Sequence, residues 1–220
     1  MPDILFIGKR DDVFSKIAAD YLKQNIPSAI IVYSSRSEPI PDIVTKWKGD
    51  YLLSYLSQWI IPAEVLANAK EGGINLHPGS PAYPGIGCTN FAIYNEEREF
   101  GITCHFMEPK VDTGRIIKVV RFPIHEKDTV YSITQRCYTI ILHVFFELVD
   151  NFLQGKKPEA GHEQWQRKPY TRKELNNLCL LTKDMDKQEM KQRIAATTYG
   201  KQPWAYIELN GEKFYLKPAE

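Results

Sequence analysis

Short apolar runs alternate with amphipathic stretches through the first half of the chain. Residues 4–8 form an apolar run closed by a glycine, and Val13, Phe14, Ile17, Ala18, Tyr21 and Leu22 then recur at helical spacing. Residues 29–33 and 51–56 are two further runs of strand character. Pro62 suits a first helical turn and opens a predicted helix over 63–70, followed by a fourth strand over 74–77. This order predicts an α/β fold: a Rossmann-like, mostly parallel sheet flanked by helices, with ligands beyond the carboxyl ends of its strands.

Residues 101–107 and 115–124 read as two more strands, with Asp112 in the turn between them. Asp128 is expected to cap a long helix reaching Leu153, with an apolar stripe of Val130, Ile133, Cys137, Ile140, Ile141, Val144, Phe145, Leu148 and Phe152. The polar stretch from Gly155 to Pro169 reads as a linker. Thr171 with Glu174, and Asp186 with Glu189, are spaced as caps of two short helices. Then WAYIEL, Asn210-Gly211 and EKFYL predict a hairpin, because Asn-Gly favours the two-residue type I′ turn. The expected division is a Rossmann-like domain over 1–155 and a C-terminal segment of linker, short helices and hairpin over 156–220. A lone hairpin is marginal in water, so Trp204, Tyr206, Phe214 and Tyr215 are expected to pack on the body or on a second subunit, with a homodimer as the expected assembly.

Composition mainly excludes. At 220 residues and 43% apolar content the chain can bury a sizeable core, and a net charge of +1 weighs against a broad basic surface for nucleic acid. The most apolar helical stretch is interrupted by His143 and Glu147, so no membrane span is expected. The N-terminus runs straight into a strand without the zones of a signal peptide, and a cytoplasmic location is expected. Cys88, Cys104, Cys137 and Cys179 have neither zinc nor disulfide spacing and read as buried, reduced thiols.

Candidate chemistry concentrates between residues 74 and 117. Asn75 and His77 are two apart on a strand and would project from one face. Pro78, Gly79, Pro81, Pro84 and Gly85 follow, a loop preset by its prolines. An amide, an imidazole and the carboxylate of Asp112 converging at a strand end are equipment for acyl transfer.

These residues resemble a known family, the formyltransferases that use 10-formyltetrahydrofolate. The shared pattern is Asn75-x-His77 before a Pro/Gly loop, then Gly101-x-Thr103-x-His105, then Asp112-x-Gly114-x-Ile116. SYLSQWIIP, residues 54–62, is similar to the family's pterin-binding segment, and the similarity covers most of residues 1–125. The loop HPGSPAYPGIGC, the segment YTRKEL and the closing hairpin are most similar to the branch that formylates nucleotide-linked amino sugars. Methionyl-tRNA and glycinamide ribonucleotide formyltransferases, and a catalytically silent folate-binding protein, are the alternatives. What remains after the hairpin begins is too short for the C-terminal barrel of the tRNA branch.

The resemblance implies Asn75, His77 and Asp112 as catalytic residues, with Asn75 and His77 donating to the formyl oxygen and Asp112 orienting His77 and relaying protons. It implies a pterin held by Leu56, Trp59, Ile60, Ile61, Met107 and Lys110, with folate as co-substrate and no metal. Lys9, Arg10 and Asn90 are the candidates for the nucleotide-linked amino sugar. His105 is expected to support the site. The expected product is a formamido sugar for surface polysaccharide such as lipopolysaccharide O-antigen.

Overall fold

A computed structural model describes residues 1–217 of the chain. The last three residues of the 156–220 segment lie outside it. Six strands form one sheet: β1 (Ile4–Lys9), β2 (Ile30–Ser34), β3 (Gly49–Tyr55), β4 (Ala69–His77), β5 (Glu99–Phe106) and β6 (Ile116–Pro123). Their order is β2-β1-β3-β4-β5-β6; the first four run parallel, while β5 and β6 join antiparallel. The predicted mostly parallel sheet with flanking helices is what the chain forms.

Alternation along the strands divides the core in two. Ile4, Phe6, Leu53, Ile74, Leu76, Ile102 and Cys104 pack on one face with α1 (Val13–Asn25), α4 (Cys88–Tyr94) and α5 (Val130–Leu153). Leu5, Ile7 and Leu52 face the other way, onto α2 (Asp42–Thr45) and α3 (Ala63–Leu66). Because Ile74 and Leu76 belong to the first face, Asn75 and His77 project from the second.

Several boundaries differ from the sequence reading. The expected helix over 63–70 stops after one turn, since Ala69 pairs with Gly49 and β4 starts there. Thr129, not Asp128, caps α5, through a reciprocal box with Ser132. Asp128 instead accepts from the His125 N–H and the Ser132 hydroxyl and pairs with Arg136. On α1, Val13 and Ile17 stay exposed, at 63% and 43%. The stripe of α5 is buried except at Ile140, which is half-buried, and no described helix is long and apolar enough to cross a membrane. All four cysteines are buried and unpaired.

Beyond residue 155 come α6 (Arg172–Cys179) and α7 (Lys187–Ala196), both capped as expected, by Thr171 and Asp186. A short pair, β7 (Thr198–Tyr199) and β8 (Gln202–Pro203), precedes the predicted hairpin, β9 (Tyr206–Leu209) and β10 (Glu212–Tyr215). Asn210 and Gly211 both have positive φ, as a type I′ turn requires. The hairpin meets the body only at its root: Ala205 is buried and Leu181 N–H donates to Tyr206 O, while Leu209, Phe214 and Tyr215 are exposed.

Candidate active site

The β4–β5 register brings the motifs together. Asn75 lies opposite His105, and His77 opposite Thr103. The Thr103 hydroxyl donates to the Gly79 carbonyl at 2.7 Å, which ties the start of the Pro/Gly loop to the sheet. The turn after β5 then delivers Asp112, in a left-handed conformation at φ 48°. Two residues on, a Cβ at Gly114 would come within 1.9 Å of the Phe106 carbonyl, so only glycine lets this turn close.

Asp112 is the hub. Its Oδ2 faces His77 Nδ1 at 3.3 Å and accepts the Gly85 N–H at 2.7 Å. Its Oδ1 lies 3.2 Å from His105 Nε2 and 3.5 Å from the Asn75 amide nitrogen. Burial pushes the carboxyl up, but the imidazoles of His77 and His105 and the Gly85 N–H outweigh it and hold the group at about 2. Asp112 is therefore a buried carboxylate, negatively charged at neutral pH.

The imidazoles are fixed at their far nitrogens. His77 Nε2 donates to the Tyr83 carbonyl at 2.9 Å, and His105 Nδ1 donates to the Phe106 carbonyl at 2.7 Å. Both nitrogens of His77 thus face oxygen atoms, which fixes the plane of the ring. The His77 N–H expected to face a substrate oxygen is donated to the Tyr83 carbonyl in this structure. The Asn75 amide nitrogen sits between Asp112 and His105 Nε2, 3.1 Å from the latter.

The segment between α5 and α6, read as a linker, is a strap across this centre. Gly161 N–H donates to Ile116 O, Gln166 N–H to Pro81 O, and Tyr170 N–H to Pro84 O, while Ile86 N–H donates back to Tyr170 O. Trp165 places its ring edge-on to both His77 and His105, with centroids 5.9 and 5.0 Å apart, and its indole N–H donates to Gly114 O at 2.8 Å. Tyr170 stacks on Phe91 at 3.8 Å. Sequence reading missed Trp165; a lone tryptophan in an otherwise polar stretch was the available signal.

A cleft of about 700 Å³ opens over the strand ends and takes in Asn75, His77, His105 and Asp112. Leu56, Trp59, Ile60, Ile61 and Met107 line one wall. Leu56 has a left-handed φ of 54°, and Ile60 is 73% exposed, an apolar side chain held at the cleft mouth. Trp59 is anchored by its indole N–H to Ser35 O and Glu38 O, so it both packs on the second core and faces the cleft. Lys110 does not line the cleft; its carbonyl accepts the Thr113 hydroxyl in an exposed turn. Lys9 lines the cleft near Asp12, but Arg10 turns away to pair with Glu38. Asn90 reaches the cleft while its amide nitrogen is spent on Ala196 O at 2.7 Å, tying α4 to the end of α7. Cys88 donates to Pro78 O, and burial pushes its thiol up to about 12.

Comparison with known proteins agrees with this geometry. GDP-perosamine N-formyltransferase of Brucella melitensis is 27% identical over 83% of this chain and 70% of its own length. A sugar N-formyltransferase from Shewanella sp FDAARGOS_354 superposes with a TM-score of 0.80 over 99% of this chain and 98% of its own, at 20% identity. An N-formyltransferase from Helicobacter canadensis, solved with folinic acid and dTDP-3-aminofucose, superposes with a TM-score of 0.73 over 97% and 86%, at 17% identity. The model of the formyl transferase family matches residues 7–147, a span that runs from the second half of β1 through most of α5 and holds Asn75, His77, His105 and Asp112. The chain belongs to the formyl transferase family.

Proposed function

We propose that the protein transfers the formyl group of 10-formyltetrahydrofolate to the amine of a nucleotide-linked amino-dideoxy sugar, in the cytoplasm, giving a formamido sugar for surface polysaccharide. The observation that carries the reading is the joining of Asn75, His77 and Asp112 in one hydrogen-bonded centre at the floor of the cleft. A silent binding protein has no need of that centre. The likeness to the GDP-perosamine enzyme over most of the chain favours a sugar acceptor over tRNA or glycinamide ribonucleotide. Buried free thiols suit a reducing compartment.

The apolar wall of Leu56, Trp59, Ile60, Ile61 and Met107, with the exposed backbone beside it, fits a pterin, a flat ring with a polar edge. When bound, the folate supplies the formyl carbon and accepts a proton at N10. The protein supplies charge and orientation. Asp112, held near 2, is too weak a base to keep a proton at neutral pH, so its work is to orient His77 and hold Asn75 in place. His77 stabilises negative charge on the formyl oxygen by sharing or releasing the N–H that rests on Tyr83 O. The Asn75 amide oxygen accepts from the incoming amine and aims it at the formyl carbon. Proton exchange between amine and leaving group runs through water along this centre.

In the same reading the exposed hairpin face of Leu209 and Phe214 joins two copies of the chain; a monomer by light scattering would count against that contact. Incubation with 10-formyltetrahydrofolate and dTDP-, UDP- and GDP-linked amino sugars, with products weighed by mass spectrometry, tests the activity. A sugar heavier by one formyl group supports it. Formylation of charged initiator tRNA or glycinamide ribonucleotide alone would overturn it.

A further inference from the structure

Two aromatic rings in the cleft have no part in the chemistry described above. Tyr199, in β7, and Trp204, just after β8, both line the cleft. Their rings are nearly parallel, 15° apart, with centroids separated by 6.5 Å. Rings in direct face-to-face contact in this protein lie much closer, as Phe91 and Tyr170 do at 3.8 Å. Tyr199 and Trp204 therefore do not cover one another. They present faces of one orientation, against which a third planar group can lie parallel to both.

Their mounting is rigid. Tyr199 is met edge-on by Tyr131 at 5.2 Å, and its hydroxyl accepts from the Gln135 amide at 3.3 Å. Trp204 N–H donates to Thr197 O at 2.9 Å, continuing the β7–β8 pairing by one rung. Both contacts of Tyr199 are to the first turns of α5, on the first core face. The pterin wall is built from Trp59, Ile61 and Met107, which pack with the second core. The cleft thus straddles the sheet end, with Asn75 and His77 between two apolar walls. Lys9 lines the same cleft, its ammonium 3.8 Å from Asp12 and 5.7 Å from the centre of the Tyr138 ring.

We propose that Tyr199 and Trp204 form the subsite for the base of the sugar nucleotide, with Lys9 on the path from base to reacting amine, where a diphosphate passes. The inference rests on the sugar-nucleotide reading above and deepens it. A flat base against parallel aromatic faces gains stacking whatever its edge pattern, and an ammonium near a diphosphate adds charge-assisted bonds. The subsite reads the nucleotide as a planar group joined to an anion, and makes no demand on the sugar.

Titration calorimetry with dTDP, UDP, GDP and inorganic pyrophosphate, beside 5-formyltetrahydrofolate as a folding and cleft control, separates the outcomes. At least one nucleoside diphosphate should bind the wild type. Tyr199→Ala and Trp204→Ala should each weaken it roughly tenfold or more, the size of one base–aromatic contact, with folate and pyrophosphate affinity unchanged. Should the alanine variants fail the folate control, Trp204→Phe keeps the test: it should bind the nucleotide but lose the quenching of indole fluorescence that the wild type shows. Nucleoside diphosphate binding equal in wild type and both alanine variants, or unaltered quenching in Trp204→Phe, would overturn the subsite and leave the sugar-nucleotide reading standing. No nucleoside diphosphate bound by the wild type, with folate still bound, would overturn both.

Discussion

The backbone N–H of Gly85 donates to Asp112 Oδ2 at 2.7 Å. One bond thus connects the Pro/Gly loop, where the sequence branch is written, to the charge at the centre of the site. The loop in turn is held by the strap through Pro84 and Tyr170. Orientation of His77 by Asp112 is therefore a property of three chain segments far apart in sequence.

Asn75→Ala, His77→Ala and Asp112→Ala should each lower kcat about 10²–10³-fold or more, the loss expected when one preorganised polar group is removed. Affinity for 5-formyltetrahydrofolate should stay close to wild type, since the apolar wall is intact. Steady-state kinetics with calorimetry checks both. Near-normal turnover by the Asp112 variant would end its assigned role.

Gly85→Ala should damage the site without touching a side chain of it. Gly85 has φ 88°, and a Cβ there would lie 2.4 Å from the Tyr170 carbonyl oxygen and 2.5 Å from its nitrogen. Both are backbone atoms in a paired rung, so the loop must part from the strap. A stability loss of about 1–3 kcal/mol and a fall in kcat are expected, measurable by urea unfolding and by turnover.

Trp165→Ala should lower kcat by up to about 10²-fold while leaving both KM values near wild type, because the ring touches the imidazoles and not the substrates' walls. Trp165→Phe restores an aromatic edge but not the bond to Gly114 O, and should fall between. A change confined to KM would place Trp165 in substrate binding instead.

Asp112 also sets an acid limit. Its carboxyl is depressed from 3.8 to about 2, so the folded state binds that proton less readily than the unfolded chain. The group contributes stability above pH 3.8, and the contribution is lost as pH falls towards 2. Urea midpoints followed from pH 5 down should drop more steeply in wild type than in Asp112→Asn over that window.

The parts of the molecule legible in the chain are those governed by local pattern. Short apolar runs marked β1 to β4, and the stripe from Val130 to Phe152 marked α5. Asn75 and His77 were legible together because a strand puts i and i+2 on one face. Where a longer-range partner competes, local signals misled: helix over 63–70 yields to the pairing of Ala69 with Gly49. The four-residue α2 and the two-residue β7 and β8 are too short for any period to show. Arg10 and Lys110 stood in plausible loops, but a side chain's direction there depends on partners such as Glu38 that spacing does not reveal. His105 was read as support, and the register makes it a direct neighbour of Asp112. The hydrogen on Tyr83 O and the cover supplied by Trp165 needed the fold.

The strap also imposes an order of assembly. Every polar group of the centre has been synthesised by residue 112, yet the backbone bonds that hold the loop come from residues 161–170. A fragment ending near residue 147, where the family match stops, would contain Asn75, His77 and Asp112 with the histidine rings uncovered. On the ribosome, a nascent chain would thus carry Asn75, His77 and Asp112 some fifty residues before the strap that covers them, and the centre would close in one late step.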